Sequence, residues 1–290
     1  MRPRADIDRA MTGRATHLLN RYGEDLTRQA QYSRLVFPVA VDIMLDQFLS
    51  TVSATSKNIL LVGPTGAGKS TLINGIAYAM AGERVPARLK DKRLVRISAG
   101  HIGSSENPPA IFQALLDEVL ESGNIVLAIT NLHDFTAHGG ISGFDLAEIL
   151  AETIEHTGLM VVATSTPEEY HRLLERHPLA ALFERVDVRE PDENTAIRIA
   201  ETHIPGLEAR FPVFFTYDAI ATAVRLSDRY VHDMAQPQAT VDLLEQTALT
   251  IGKNNKRERI RVTPEDIAAV LERRTHTKIG GVGDEERSVL

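Results

Sequence analysis

Asn58-Ile59-Leu60-Leu61-Val62-Gly63-Pro64-Thr65-Gly66-Ala67-Gly68-Lys69-Ser70-Thr71 is the stretch that decides the fold. An apolar run, β-branched at Ile59 and Val62, stops at a glycine-rich turn, and Lys69-Ser70-Thr71 opens a run suited to a helix. The pattern is G-x-x-x-x-G-K-[ST], in the strand-to-helix setting that gives it meaning. Gly63, Gly66 and Gly68 lack a Cβ, so the backbone can turn tightly and aim N–H groups at phosphate oxygens. Within the nine residues Gly63, Pro64, Thr65, Gly66, Ala67, Gly68, Lys69, Ser70 and Thr71, Lys69 is expected to reach the β- and γ-phosphates and the Ser70 hydroxyl to hold Mg²⁺. A helix over about 69–81 points its positive end at the same anion. ATP or ADP with Mg is the expected cofactor.

Working outward, 290 residues suit one large or two modest domains. A 43% hydrophobic and 24% charged composition is that of a soluble globular chain. There is no Cys, which excludes disulfides, thiolate metal sites and thiol catalysis. A net charge of −7 argues against a general nucleic-acid surface. No apolar run approaches the length of a membrane span, and the N-terminus has no signal-peptide core. A cytoplasmic chain with no membrane partner is expected.

Residues 1–34 are polar and weakly periodic, an arm with a little helix. Val41, Met44, Leu45, Phe48 and Leu49 recur at helical spacing within 38–52. After the glycine-rich turn, Leu72, Ile73, Ile76 and Ala77 form one buried helix face. Residues 93–97 read as a strand, and 98–109 as a loop too rich in Gly, Ser, Asn and Pro for regular structure. A helix follows over 110–120. The continuous apolar runs 125–129 and 159–163 read as strands buried on both faces, with an amphipathic helix at 141–156 between them. Pro167 opens a helix, and 186–188 is a last short strand. This alternation predicts an α/β fold, a parallel sheet flanked by helices. From Asp192 only helical patterns appear, at about 192–203, 216–230, 237–252 and 264–274, the last capped by Thr263. The expected divisions are an arm at 1–35, an α/β nucleotide-binding part at 36–190, an all-helical lid at 191–276 and a linker-like tail at 277–290.

Beyond the first stretch, several short runs fall in order. They are Tyr22-Gly23-Glu24-Asp25-Leu26-Thr27, Gly82-Glu83-Arg84-Val85-Pro86 with Leu89-Lys90-Asp91-Lys92-Arg93-Leu94, Gly123-Asn124-Ile125-Val126-Leu127, Pro167-Glu168-Glu169-Tyr170, Glu190-Pro191 and Leu226-Ser227-Asp228-Arg229-Tyr230. Pro237, Asp242 and Leu243 continue the series. With these in register, nearly the whole chain resembles the first nucleotide-binding domain of AAA+ ATPases of the Clp type. The resemblance implies a P-loop AAA+ domain with a helical lid, and assembly with itself or related Clp subunits in a hexameric ring. It also implies chaperone work on protein substrates and, in one branch, a partner peptidase. The lid runs into Thr263 without the coiled-coil insertion of the disaggregases, which is similar to the peptidase-partner branch. Residues 277–290 are similar to the linker toward a second ATPase domain, so a fragment or a chain that lost its second motor is expected.

Several positions depart from the family pattern. In the family the third strand ends in Asp-Glu, the Asp supporting Mg²⁺ and the Glu activating water; here Thr130 and Asn131 stand there, before Leu132-His133. Asn can orient a water but cannot take its proton at neutral pH. Asp134 is the alternative carboxylate. The polar sensor at the end of the next strand is matched by Thr164 or Ser165, Ser165 being kept as the catalytic candidate; a plain strand-end polar residue is the alternative. The family's arginine fingers, worth about 10³–10⁵ in rate, match Ala181 and Leu182, with Arg185 nearby but more simply a solvated charge. Ala239 matches the lysine of the lid. In the pore loop, His101-Ile102-Gly103-Ser104-Ser105 lacks the aromatic grip, leaving Ile102 as a weak one. Glu106-Asn107-Pro108-Pro109 then stiffens the loop.

The residues that bind ATP persist while those that hydrolyse it, sense a neighbour and pull substrate are replaced. The sequence therefore favours an ATP-binding, hydrolysis-impaired module that uses ATP, held between α/β part and lid, for assembly. An active ATPase feeding a peptidase, with Asp134 or an arginine from another chain, is the second reading. A nucleic-acid-handling module is the third, on the basic stretch Lys253, Lys256, Arg257, Arg259 and Arg261, for which a solvated turn is the simpler account. His133, His138, His171 and His177 show no metal-ligand spacing, and core or surface roles are expected of them.

Overall fold

The apolar run at 58–62 is a strand buried at every residue, and a six-stranded sheet is built around it. The structure is a computed structural model that describes residues 16–32, 34–35, 39–136, 145–253 and 259–276. Two compact units emerge: Met1–Gly63 with Lys69–Val188, and Pro64–Gly68 with Arg189–Leu290.

In chain order the first unit contains α1 (His17–Tyr22), β1 (Gly23–Asp25), α2 (Leu26–Gln31), α3 (Asp42–Ala54), β2 (Asn58–Val62), α4 (Lys69–Ala81), β3 (Arg93–Ser98), α5 (Ala99–Gly103), α6 (Pro108–Ser122), β4 (Ile125–Thr130), α7 (Leu146–Thr157), β5 (Val161–Ser165), the single turn α8 (Pro167–Glu169) and β6 (Phe183–Asp187). The sheet order is β1-β3-β4-β5-β2-β6. All pairings are parallel except β1 with β3. The chain leaves β2 for the far side of the sheet and returns on the other side of β2 as β6. Such a reversal opens a crevice at the carboxyl ends of the strands, where α/β sheets hold ligands. Strands β2 and β5 are buried throughout and β4 up to Thr130, as in a sheet covered on both faces. Leu60, Val62, Ile97, Leu127 and Ile129 share one core with Phe112 and Phe135, whose rings lie 5.4 Å apart.

The fold is the expected one, and several elements differ in detail. Residues 17–31, taken for an arm, contribute α1, β1 and α2 and bury Leu19 and Leu26. Polar groups hold them: Glu118 accepts from Leu18 N at 3.2 Å and Leu19 N at 2.8 Å, Arg93 Nε donates to Asp25 at 2.8 Å, and Arg96 pairs with Glu24. The 98–109 segment is not wholly irregular, because Ala99 and Ile102, three apart, bury one face of α5 in the core. Packing there outweighs poor helix propensity. Strand β6 begins at Phe183, so Arg185 lies inside it. After α8 the chain continues in a wider, π-type turn, Tyr170–Leu174. Helix α7 starts after Asp145, whose carboxylate accepts from Glu148 N at 3.1 Å; the expected start at 141–144, like residues 1–15 of the 1–35 arm, the 277–290 tail and His138, lies outside the described residues.

The second unit carries α9 (Glu193–Arg210), β7 (Val213–Phe215), α10 (Tyr217–Tyr230), α11 (Gln238–Gly252), β8 (Ile260–Val262) and α12 (Pro264–Thr275). It is helical apart from the short parallel pair β7–β8, which joins segments too brief and too distant in sequence to show a pattern. Helix α9 runs on through Pro205, since Ile204 and Leu207 are buried on either side of it. Thr263 caps α12 in a reciprocal box, its N–H bonding Asp266 at 2.9 Å. Among the described residues no helix is long and apolar enough to cross a membrane.

Candidate nucleotide-binding site

The phosphate loop is one continuous segment whose conformation demands glycine at three places. At its entry Gly63 N donates to Ser165 O at 3.2 Å, and Val188 N donates to Val62 O at 2.7 Å. A Cβ on Gly63 would stand 2.4 Å from Val188 O, so no other residue fits without parting the strands. Gly66 (φ +93°) and Gly68 (φ +90°) occupy backbone conformations that L side chains rarely adopt. Ala67 N closes the turn on Pro64 O at 3.2 Å. Lys69 opens α4, and its ammonium donates to Gly63 O at 2.6 Å; burial lowers its pKa. Ser70 and Thr71 are exposed at the same helix start. Mg²⁺ fits this donor set, because it commonly takes one protein hydroxyl or carboxylate and completes its shell with phosphate oxygens and water. Lys69 and the helix start would hold the phosphates and Ser70 the cation.

Inside the second unit, Pro64–Gly68 meets the turn between α10 and α11. Ala235 N donates to Thr65 O at 2.9 Å, and a Cβ on Gly66 would lie 2.8 Å from Gln238 Cβ. Buried Gln236 fixes that turn. Its amide donates to Ser227 Oγ at 2.7 Å, Thr240 Oγ1 donates to its Oε1 at 2.6 Å, and its backbone N donates to Glu190 at 2.8 Å. Ala239 is buried in the core of this unit.

The sheet register brings the remaining candidates to one edge of the first unit. Ser98 pairs with Thr130, Ile129 with Ala163 and Val62 with Ser165. Thr130 Oγ1 donates to Ile97 O at 3.4 Å. Asn131 is exposed, with φ +54°, and its N–H donates to Thr164 Oγ1 at 2.9 Å. Ser165 is fully buried; its hydroxyl donates to Thr166 O at 3.3 Å and faces His133 Nδ1 at 3.1 Å. Both hydroxyls considered as sensors thus have partners within the fold. With Ser165 donating onward, Nδ1 carries the proton on His133. Burial lowers the His133 pKa, against the opposing pull of Asp134 and Glu169. Asp134 Oδ1 lies 3.5 Å from His133 Nε2. Serine, histidine and aspartate are close here, yet a serine with no exposed surface cannot meet an acyl substrate. The Ser165–His133 contact escaped the sequence reading, because His133 lies in the 3₁₀ turn Leu132–Phe135 beyond the end of β4 and only the fold brings it to Ser165.

The remaining candidates have local partners within the chain or lie in its core. Ala181 and Leu182 close a 3₁₀ turn, Pro178–Leu182. Arg185 donates to Asp187 at 2.7 Å, and its guanidinium lies 5.0 Å over the Tyr170 ring. Ile102 cannot grip a substrate, even weakly, because it is fully buried. The exposed part of that segment, His101, Ser104 and Glu106, instead borders a groove of ≈ 660 Å³ with Arg21 and Tyr22. His171 pairs with Glu175 at 3.2 Å and His177 approaches Asp145 at 3.5 Å. Of the basic stretch, Lys256 and Arg257 lie outside the described residues, while Arg261 is exposed on β8.

Comparison with known proteins adds to this geometry. An AAA domain model matches residues 43–124 and an AAA lid domain model residues 192–284. The chaperone protein ClpB of Helicobacter hepaticus is 30% identical over 237 residues, 79% of this chain and 28% of that protein. The negative regulator of genetic competence ClpC/MecB of Bacillus subtilis is 29% identical over 238 residues, 80% of this chain and 29% of that protein. The chain therefore spans under a third of the length of these relatives. The fold is that of Hsp104 solved with ATPγS and FITC casein, at a TM-score of 0.80 and 23% identity over 94% of this chain and 48% of that one. The chain belongs to the AAA+ ATPases of the Clp type.

Proposed function

We propose that this chain is an ATP-binding Clp-type module whose own ATP hydrolysis is impaired and whose bound ATP serves assembly with copies of itself or related subunits in a ring. One observation carries the reading. The end of β4, beside β3 and β5, presents a threonine hydroxyl and an asparagine amide where water activation needs a carboxylate. Neither group takes a proton at neutral pH. The phosphate loop keeps its glycine conformations, its lysine and its serine. ATP that favours one state of the chain stabilises that state without being consumed. Protein substrates, a peptidase partner and a cytoplasmic setting belong to this proposal on the strength of the Clp relationship alone.

Binding and turnover of ATP, measured on one preparation with Mg²⁺ across a protein concentration series, test it. Tight binding with turnover near background is expected. An active ATPase is the second reading, favoured by half-buried Asp134 beside His133. Brisk turnover lost in Asp134→Asn would replace the first reading with the second.

A further inference from the structure

The short sheet of the second unit is covered by its core on one face only. Side chains alternate along a strand, so Val213 and Phe215 of β7 enter that core with Val262 of β8, while Phe214 and Arg261 point the other way. Phe214 and Arg261 are register partners in the parallel pair, which sets ring and guanidinium next to each other on the outer face. Phe214 is 51% exposed, and Tyr217, just beyond β7, is 60% exposed. Single exposed apolar side chains are ordinary; rings grouped with cations have the composition of a stacking surface.

Further cations gather where the two strands begin. Gly252, at the end of α11, lies against the entry to β7: a Cβ on it would stand 3.2 Å from Pro212 Cδ and 3.4 Å from Phe211 Cβ. Exposed Lys253 follows it, and exposed Arg259 leads into β8, whose Ile260 N donates to Pro212 O at 2.9 Å. Lys253, Arg259 and Arg261 have no ion-pair partner among the described residues. Two carboxylates of the adjoining helices are engaged: Glu208 accepts from Phe215 N at 3.0 Å, and Glu245 holds Arg210 at 3.0 Å. Exposed Asp218 and Glu265 open α10 and α12, past the opposite end of the strands. The net charge of −7 argues against a general nucleic-acid surface and leaves this local one. An acidic peptide would engage the cations and bring no flat group to the ring. A single strand of nucleic acid supplies both phosphates and open bases, whereas a duplex keeps its bases stacked inside.

We infer that the outer face of β7–β8 binds single-stranded nucleic acid, a base stacking on Phe214 and phosphates meeting Arg261, Arg259 and Lys253, with Tyr217 as a second platform. This gives a role to the basic stretch that the sequence offered most simply as a solvated turn. It stands independently of whether the chain hydrolyses ATP.

The test is fluorescence anisotropy of a labelled oligothymidylate and a labelled oligouridylate with the full chain over a salt series, ATP and Mg²⁺ held constant. Phe214→Ala should weaken binding about five- to a hundredfold, the worth of one base stack. Arg261→Gln should also weaken it, and should reduce the slope of log affinity against log salt by about 0.7, one phosphate contact on a single strand. Arg198→Gln, the same charge change at an exposed site on α9, should leave binding unchanged. The substituted side chains are exposed, so melting temperatures should hold. Tighter binding of either oligonucleotide names the preferred sugar and supports the inference. No binding of either at low salt overturns it, as does affinity unmoved in a folded Phe214→Ala. If that variant does not fold, unchanged affinity in Arg261→Gln overturns it instead. A polyglutamate peptide that binds as tightly as the oligonucleotides, indifferent to Phe214→Ala, would make this an acidic-peptide face and overturn it too.

Discussion

The end of β2, from which the phosphate loop departs, and the end of β4 lie at the same edge of one sheet, and the two segments that follow them differ. At the loop, function resides in backbone shape. Gly63 is pressed against Val188 O and Gly66 and Gly68 sit at positive φ, so any substitution is felt at once. At β4 the backbone shape also persists, with Asn131 at φ +54° and anchored on Thr164, while the carboxylates that would do chemistry are missing. A fold can shed acid–base chemistry by changing two side chains at a strand end without disturbing the sheet. The loop glycines are less free to change, because Gly63 lets the chain pass Val188 and Gly66 and Gly68 allow the positive φ of the turn. On the proposed function, the contrast separates the residues that would bind ATP from those that would spend it.

The largest effect expected is from Lys69→Ala, which should lower ATP affinity by about a hundredfold or more through lost charge-assisted contacts. Titration with a fluorescent ATP analogue reads this directly, and undiminished affinity would break the comparison at its stronger side. Next come the glycines. Gly63→Ala places a methyl group 2.4 Å from Val188 O, and overpacking against backbone should cost about 1–3 kcal/mol. Gly66→Ala combines a 2.9 Å approach to Ala235 O with a strained φ, about 1–2 kcal/mol from the conformation alone. Urea unfolding monitors both, and Gly68→Ala serves as the control for strain without contact, since a Cβ there meets nothing within 4 Å.

The other side of the comparison is sharpened by Thr130→Asp with Asn131→Glu. Turnover should stay near background, because Ala181 and Leu182 offer no guanidinium at the turn before β6. Brisk turnover would show that carboxylates were the sole deficit. The same variant should lose about 1 kcal/mol of stability: Asn tolerates the left-handed region by local hydrogen bonding, and Glu does not. Asn131→Gly should be close to neutral, which distinguishes backbone strain from a lost side-chain contact.

Much of this was legible in the sequence because it was written in periodicity or in glycine. The fully buried runs of β2, β4 and β5 and the apolar faces of α4, α7, α10 and α11 announce themselves. What escaped is short or held by polar groups. Strand β1 has three half-buried residues and is anchored by Asp25 and Glu24 to Arg93 and Arg96. Strands β7 and β8 have three residues each, and no alternation can show in three. Helix α5 hides in a glycine- and serine-rich segment because two residues, Ala99 and Ile102, do all its packing. At the site, Thr130 and Asn131 were readable as departures; the engagement of Ser165 by His133 depends on tertiary placement and could not be read.

The smallest effect concerns whether the sensor strand is structural here. His133 sits against Ser165, with Lys69, Asp134, Glu169 and Arg172 the charged groups around it, and burial holds its pKa below 6.5 in the folded chain. In the unfolded chain the imidazole titrates near 6.5, so as pH falls below that value the unfolded state takes up the proton first. Stability should then decline with falling pH, from about 6.5 down to the folded pKa, and rise again when pH is raised. The slope for one group is below about 1.4 kcal/mol per pH unit. Urea unfolding from pH 5 to 8, in the unmodified chain and in His133→Gln, isolates the contribution as the difference between the two slopes. Equal slopes would mean that His133 titrates alike folded and unfolded, and that Ser165 is not committed to a buried neutral imidazole. The division between a loop that binds and an edge that only supports would then lose the support that the Ser165–His133 contact gives its second half.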